Sequence, residues 1–575
     1  VAQKLDLNLQ SAILTNTRTP QRVMIETTPA GQERLARDVE ARRSITIIGG
    51  NDGRIVAEVN ATDLQWLAAQ PGTARISTDA IVSAAQVGRF TDGVRLRTSL
   101  GLKKDGKLLS GEPGSFNGDK VVVAVIDSGI ELSKDLERGR VIAFYDFTQT
   151  GSALETAPFD DYGHGTHVAS LIGGSGDLSS DRFQGSAMKT RFVGYKVLDD
   201  TGAGYASHVI AAVEHAIEHR DALNIKLINL SLGHPIMQPA MTDPLVRAVE
   251  RAVAAGIVVV VSAGNHGINP VTGLVGYGGV TVPGNAPSAI TVGAIDINDT
   301  AARFDDKVQP YSSRGPTWFD ALPKPDLVAP GHRLVGTAAK QSSLYRDYSD
   351  LRVTAQGEKT ADYLRLSGTS MAAAVTSGVI AAGLGNYYHE NHNGRLSPNA
   401  VKAILEYTAV SIPGEDVLSQ GAGSLNPAGA LRFIRDLARS KRDEWTLSSL
   451  EPFDVVDGEL LNWSQQIFWG DQIFWGDQIF WGDQIFWGDQ IFWGDQIFWG
   501  DQIFWGESIV WGNQILWGDS IVWSDTVLGV ETDGGVVYGS AINWGNVTPS
   551  QVVWMQPPDE DTGGQTLIAL MRRYD

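Results

Sequence analysis

The sequence predicts an α/β protein. A parallel sheet flanked by helices is preceded by a small α+β module of ferredoxin-like order and followed by a β-repeat region. Three observations predict this. From Lys120 to about Ser440, continuous apolar or β-branched runs alternate with helical patterns, as expected when both faces of a parallel sheet are covered. From Arg22 to about Ile81 the runs fall in the order βαββαβ. From Gln466 to Asp501 the hexapeptide Gln-Ile-Phe-Trp-Gly-Asp stands in six identical copies.

Taken in order, residues 1–20 read as an irregular, polar leader, and residues 21–82 as the α+β module. In that module Arg22–Thr27 is a strand and Ala30–Arg42 a charged helix. Ser44–Ile48 and Gly53–Val59 flank the turn Gly50-Asn51-Asp52-Gly53 and pair as a hairpin. Thr62–Ala69 is a helix with Thr62 or Asp63 as N-cap, and Thr73–Thr78 closes the sheet. Residues 83–118, rich in Gly, Ser and Lys, form a linker, and 119–440 form the α/β domain. Its strands include Val121–Ile126, Arg191–Val197, Lys226–Leu230 and Ile257–Val261. An acidic linker (441–462), the Trp-repeat region (463–525) and a tail (526–575) follow.

Composition excludes several classes of function. With 575 residues and 43% apolar content the chain is globular, and a wholly disordered protein is ruled out. It has no cysteine, so disulfides, thiolate nucleophiles and Cys-ligated metals are impossible. The net charge of −20 is carried by the C-terminal part: between Asp443 and Met571 there are 20 acidic residues and no Lys or Arg. Such a surface repels nucleic acid and anionic lipid. No apolar stretch is long enough to span a bilayer. The chain starts at Val1-Ala2-Gln3 without Met, and the expectation is that a targeting segment has been trimmed.

In an open α/β sheet, functional groups sit past the carboxyl ends of strands. Here those ends deliver Asp127-Ser128-Gly129, Ser231-Leu232-Gly233 and Ser262-Ala263-Gly264-Asn265. Gly163-His164-Gly165-Thr166-His167 and Ser367-Gly368-Thr369-Ser370-Met371 each open a helix. Alone, each of these residues reads as a turn former or helix cap. Together they make an acyl-transfer site. Serine needs an adjacent base, and imidazole titrates near neutrality. A carboxylate can fix the imidazole tautomer, and N–H groups at a helix N-terminus favour a developing oxyanion.

Val125-Ile126-Asp127-Ser128-Gly129, Gly163-His164-Gly165-Thr166-His167-Val168-Ala169 and Gly368-Thr369-Ser370-Met371-Ala372-Ala373 resemble the three signature blocks of the subtilisin-like serine peptidases. The order Asp, His, Ser is also theirs. The resemblance covers about Asp119 to Leu437 and implies a subtilisin-like sheet. It implies Asp127, His164 and Ser370 as the triad and Asn265 as the side-chain donor of an oxyanion hole. It implies a substrate channel with one wall at Gly202, Gly204 and Tyr205 and the other at Ser231, Leu232 and Gly233. Ser262 and Gly264 would help line the pocket for the residue before the cut. One departure is Ala374, where the family usually has Pro; Ala is a good helix former, so the helix should survive.

By the same resemblance the N-terminal module fits an inhibitory propeptide. Its C-terminal tail would occupy the channel, with autocleavage around Asp79–Gly88. Expected partners are protein or peptide substrates and the chain's own propeptide. Catalysis needs no cofactor, and Ca²⁺ enters only as a structural ion, with no ligands assigned. The expected setting is secreted or at the cell surface.

Two other functional classes compete. One is a structural or adhesive repeat protein whose peptidase serves self-processing. The other is a zinc peptidase using His215-Ala216-Ile217-Glu218-His219, an H-x-x-E-H pattern. The helical wheel speaks against zinc, because Val209, Val213 and Ile217 mark the buried stripe and both histidines fall on the opposite, solvated face. His167 reads as a packed structural histidine. In the repeat, Trp recurs every six residues from Trp463 to Trp523, a period no helix matches. A solenoid and a meander with Gly-Asp hairpin turns both fit. The solenoid is favoured, because a meander would expose two apolar faces. The repeat region could self-associate or bind a surface.

Overall fold

The computed structural model describes residues 4–84, 96, 100, 102, 116–439 and 452–466, except 16, 18, 52, 138, 270–272, 299–302, 304, 392–394 and 457–458. It also describes short pieces at 485–487, 490–492, 521–522, 530–532 and 535–538.

The leader is not irregular. Leu7–Leu14 forms helix α1, started by Asp6, whose side chain accepts from the Leu9 N–H at 2.9 Å. Leu5, Leu9 and Ala12 lie one helical turn apart and are buried in the core of the α+β module. The helix is too short for its period to stand out in the sequence.

The module consists of β1 (Gln21–Thr27), α2 (Gln32–Glu40), β2 (Thr46–Asn51), β3 (Arg54–Val59), α3 (Ala61–Ala69) and β4 (Thr73–Thr78). Its sheet has the order β2-β3-β1-β4, with every neighbouring pair antiparallel. Strand periodicity divides the side chains between two faces. Val23, Ile25, Ala57 and Val59 pack under Leu35, Val39, Leu64 and Leu67. Met24 and Val56 face the other way, into a core shared with the α/β domain. The N-cap of α3 is Asn60, whose side chain accepts from Asp63 N–H, rather than Thr62 or Asp63. Asp63 accepts instead from Arg42 Nε at 2.6 Å and Ser44 Oγ at 2.9 Å.

The module leads through β5 (Ile81–Ala84) into the α/β domain. There the strands are β6 (Val122–Asp127), β7 (Val141–Asp146), β8 (Leu154–Glu155), β9 (Arg191–Lys196), β10 (Ala203–Tyr205), β11 (Ile225–Leu230), β12 (Leu232–Gly233), β13 (Val258–Ser262), β14 (Ile290–Asp296), β15 (Lys307–Val308) and β16 (Leu327–Pro330). The helices include α4 (His164–Gly173), α5 (Ala206–Glu218), α6 (Pro244–Ala254), α7 (Thr369–Glu390), α8 (Pro398–Thr408) and α9 (Pro427–Arg439). Among the described residues the main sheet has nine strands in the order β15-β14-β13-β11-β6-β9-β7-β8, with β16 also beside β14. The pairs from β7 through β16 are parallel, and β8 and β15 are antiparallel edges. Strand β6 is buried along its whole length, which explains its unbroken apolar run. Helix α7 is buried on all sides from Thr369 to Tyr387. Its Ala- and Gly-rich sequence lets it pass through the centre of the domain.

Asp79 joins the module to the domain. Asp79 lies just after β4 and caps α5, accepting from Ser207 N–H at 2.8 Å and Ser207 Oγ at 2.7 Å. Arg22 Nε donates to the same carboxylate at 2.6 Å. Tyr205, at the N-cap position, makes no side-chain cap of its own.

The domain also extends past residue 440. Phe453–Val456 and Glu459–Asn462, expected as linker, form an antiparallel hairpin. After it Trp463 is 3% exposed, with its ring edge-on to Tyr407 and tilted over Phe433. Most of the repeat lies outside the described residues. Within it, Ile485–Trp487 pairs antiparallel with Gln490–Phe492. The choice between solenoid and meander falls on residues outside those described.

Candidate active site

Strand β6 ends on Asp127, and α4 begins at His164. Gly163, at the N-cap of α4, has φ +103°, and a Cβ there would lie 2.4 Å from Ser342 Oγ. Only glycine lets the chain turn into the helix at this point. Both side chains are fully buried. His164 Nδ1 lies 2.8 Å from Asp127 Oδ1 and 3.0 Å from Oδ2, and Asp127 Oδ1 also accepts from Ser128 N–H at 2.7 Å. His164 Nε2 is buried without a hydrogen-bond partner. The pair therefore has one ring nitrogen held by a carboxylate and the other available.

Ser370 is the second residue of α7. Its Oγ donates to the Ser231 carbonyl at 3.0 Å, and Ser231 Oγ donates back to the Ser370 carbonyl at 3.1 Å. Ser231 Oγ also accepts from Asn229 Nδ2 at 2.9 Å, while Asn229 Oδ1 accepts from Ser377 Oγ at 2.9 Å. This relay pins the start of α7 to the end of β11. Asn265 Oδ1 accepts from Thr369 N–H at 3.0 Å and Thr369 Oγ1 at 3.1 Å. Its Nδ2 is buried and has no partner. With the oxygen of the amide held, the Nδ2 donors are left for another group. Sequence reading passed over Thr369, Asn229 and Ser377, although Thr369 sits beside Ser370 in the motif itself.

Strand β5 lies between β10 and β12, antiparallel to both. Ile81, Val82 and Ser83 stand opposite Tyr205, Gly204 and Ala203, and Ser83 and Ala84 opposite Gly233 and Leu232. Val82 is fully buried, whereas Ile81 and Ser83 are exposed. Gly202 has φ +78°, and a Cβ there would meet the Tyr162 ring at 2.3 Å. Of the remaining expected channel residues, Ser231 bonds to Ser370 as above. Ser262 ends β13 with its Oγ buried and unpartnered. Gly264 N–H donates to Thr369 Oγ1 at 3.1 Å.

The neighbouring groups are structural. Burial and the nearby His164 push His167 down to about 3, and its Nε2 lies 3.2 Å from the Leu334 carbonyl. Lys196 is buried, and its Nζ donates to the carbonyls of Ser128 at 2.8 Å and Leu198 at 2.7 Å and to Asp161 at 2.5 Å. The expected solvated face at His215 and His219 needs correction. The two rings stack at 4.0 Å, and His215 also packs on Tyr145 at 4.4 Å. Burial pushes His215 down to about 4, because strands β7 and β9 carry the aromatic residues Tyr145 and Tyr195 under this part of α5. Among the described residues no three His, Asp or Glu side chains converge as for a metal ion.

Fold and site together define the class: an α/β protein whose parallel sheet carries an Asp–His pair at one strand end and whose buried central helix opens with a serine. The chain belongs to the subtilase family, whose model matches residues 118–431. It is 37% identical over 317 residues to serine protease AprX of Bacillus subtilis (strain 168), spanning 54% of this chain and 66% of that protein. To subtilisin E of the same strain it is 34% identical over 264 residues, spanning 43% of this chain and 62% of the relative. To the subtilisin of Bacillus pumilus it is also 34% identical over 264 residues, spanning 86% of that protein. Among solved structures it is similar in fold to fervidolysin from Fervidobacterium pennivorans, described as a keratinolytic enzyme related to subtilisin. The TM-score there is 0.54 at 20% identity, covering 72% of this chain and 61% of the other.

Proposed function

We propose that the chain is a serine endopeptidase that works through an acyl-enzyme. Ser370 is the nucleophile and His164 the general base, with Asp127 holding the imidazole tautomer and stabilising the imidazolium. The oxyanion is met by Asn265 Nδ2 and by backbone N–H groups at the start of α7. Ser370 Oγ leaves the Ser231 carbonyl and turns to His164 when substrate binds, in keeping with catalytic hydrogen bonds that tighten only in the Michaelis complex.

The observation that carries this reading is β5. A segment of the chain itself lies as the central strand between the two expected channel walls, which is how an extended peptide substrate would bind by strand addition. Residues 4–84 accordingly act as an inhibitory propeptide, and the chain is made as a zymogen. Because β5 is paired with β12 up to Ala84, the autocleaved bond lies C-terminal to Ala84, within the stretch that ends at Gly88. An exported protein fits the named subtilisin relatives. The test is mass spectrometry of purified chain after incubation. Wild type should yield a fragment ending between Ala84 and Gly88, and Ser370→Ala should stay intact. Cleavage there in the Ser370→Ala chain would overturn the assignment.

A further inference from the structure

We propose that Asp160 is the positioning residue of the Asp127–His164 pair, an inference that rests on the peptidase reading above. The two members of that pair come from separate stretches of chain, the end of β6 and the start of α4, and a short contact between them requires that the stretches be locked together. Asp160 is 2% exposed and lies four residues before His164. Its Oδ1 accepts from Ser128 Oγ at 2.9 Å and from Gly163 N–H at 2.7 Å. The donors are the residue after Asp127 and the residue before His164. Its Oδ2 accepts from Thr166 N–H at 2.8 Å and Thr166 Oγ1 at 2.6 Å. Two cross-links complete the lock: Gly165 N–H donates to Ser128 Oγ at 2.9 Å, and Glu131 N–H donates to Thr166 Oγ1 at 2.9 Å.

A carboxylate suits this position because it only accepts and offers about four lone-pair sites. All of the groups aimed at Asp160 donate. Gly163 and Thr166 carry N–H groups at the start of α4, where no intrahelical carbonyl can reach them, and Gly163 offers no side-chain cap. The negative charge is also favoured at that end of a helix. An amide of the same shape would turn an NH₂ group toward one pair of donors and break that half of the lock. The other titratable groups in this surrounding are Glu131, Tyr162, His167 and the Lys196–Asp161 ion pair, whose ammonium also donates to the Ser128 carbonyl.

The test is Asp160→Asn in the full chain, with kinetics on a small peptide substrate normalised to sites titrated by a fluorophosphonate. The expected result is a kcat per titrated site lower by about 10–100-fold, the scale of a small misplacement at a reacting centre, with KM changed less than about twofold. The acid limb of kcat/KM should move to lower pH, since a misaligned Asp127 stabilises the imidazolium less. A residue that only stabilises the fold would lower the melting temperature and the titrated fraction. It would leave kcat per site and the acid limb unchanged, and that result overturns the proposal. If Asp160→Asn does not fold, Ser128→Ala removes a single spoke and is read by the same two criteria. If the variant folds without freeing its channel, the downfield proton resonance of the His164–Asp127 hydrogen bond is read on the unprocessed chain. Its loss or displacement supports the proposal, and an unmoved resonance overturns it. Failure of the peptidase reading looks different: wild type itself would then neither hydrolyse peptide nor react with the fluorophosphonate.

Discussion

Asn265 carries a side-chain amide satisfied at one end only. Its oxygen is tied twice to Thr369 while its nitrogen is buried without a partner, so the amide cannot rotate to satisfy itself. A buried donor left open carries a desolvation cost, and a developing oxyanion would relieve it. Asn265→Ala should therefore lower kcat by about 10²–10³-fold with little change in KM, a magnitude carried over from subtilisin itself. Steady-state kinetics check it, and a loss confined to KM would remove Asn265 from the oxyanion hole. His167 gives a pH prediction. Burial pushes it from 6.5 to about 3, so between those values the unfolded chain binds a proton that the folded chain refuses. Stability is then lost as pH falls from 6.5 toward 3. Denaturant unfolding across that range should show the decline, and His167→Phe should flatten it. The placing of Asp127 at a strand end and of His164 and Ser370 at helix starts was legible in sequence, because each motif sits where an apolar run stops or begins. The polar groups that brace the same stretches of chain, on Thr369, Asn229 and Asp160, look like ordinary helix, strand and loop residues until the chain is folded.

At the scale of elements, strands β6, β9, β11 and β13 were legible to within a residue or two, since burial on both faces writes an unbroken apolar run; β7, only partly buried, was not. Contacts between elements distant in sequence were not. Nothing local marks Asp79 as the cap of α5, because the helix it serves starts more than a hundred residues later. The cap has a mechanical consequence, as it fixes the end of the module immediately before β5 pairs with β10 and β12. Asp79→Ala leaves the Ser207 N–H and Arg22 without their acceptor. The cost should be about 1–2 kcal/mol, a factor of about 5–30. It is measurable as the inhibition constant of a fragment of residues 1–84 added to the processed enzyme. An unchanged constant would show that β5 and the apolar contacts of Met24 and Val56 hold the module without help from the cap.

For the whole molecule, the boundary between catalytic unit and repeat lies later than composition implies. The six-residue period absorbs Trp463 into the repeat, yet this residue is a core residue of the α/β domain. Its Nε1 donates to Asp454 at 2.7 Å, the same carboxylate that accepts from Asn426 Nδ2 at 2.8 Å. Arg432 lies over its ring at 4.9 Å. Phe453–Val456 and Glu459–Asn462, together with Trp463, thus pack on α8 and α9, and the first Trp of the six-residue series is docked on the α/β domain. Periodicity alone could not separate these roles, because an identical residue serves as core in one copy and as repeat in the next. Chains cut at different points should then behave differently. A chain ending at 466 should keep the melting temperature and peptide hydrolysis of the full protein. One ending at 440 bares Tyr407 and Phe433 and should melt several degrees lower. Trp463→Ala in the full chain should cost about 3–5 kcal/mol, the usual range for removing a large buried aromatic. Thermal melts of the three chains decide it, and equal melting temperatures for the chains ending at 440 and 466 would return Trp463 to the repeat.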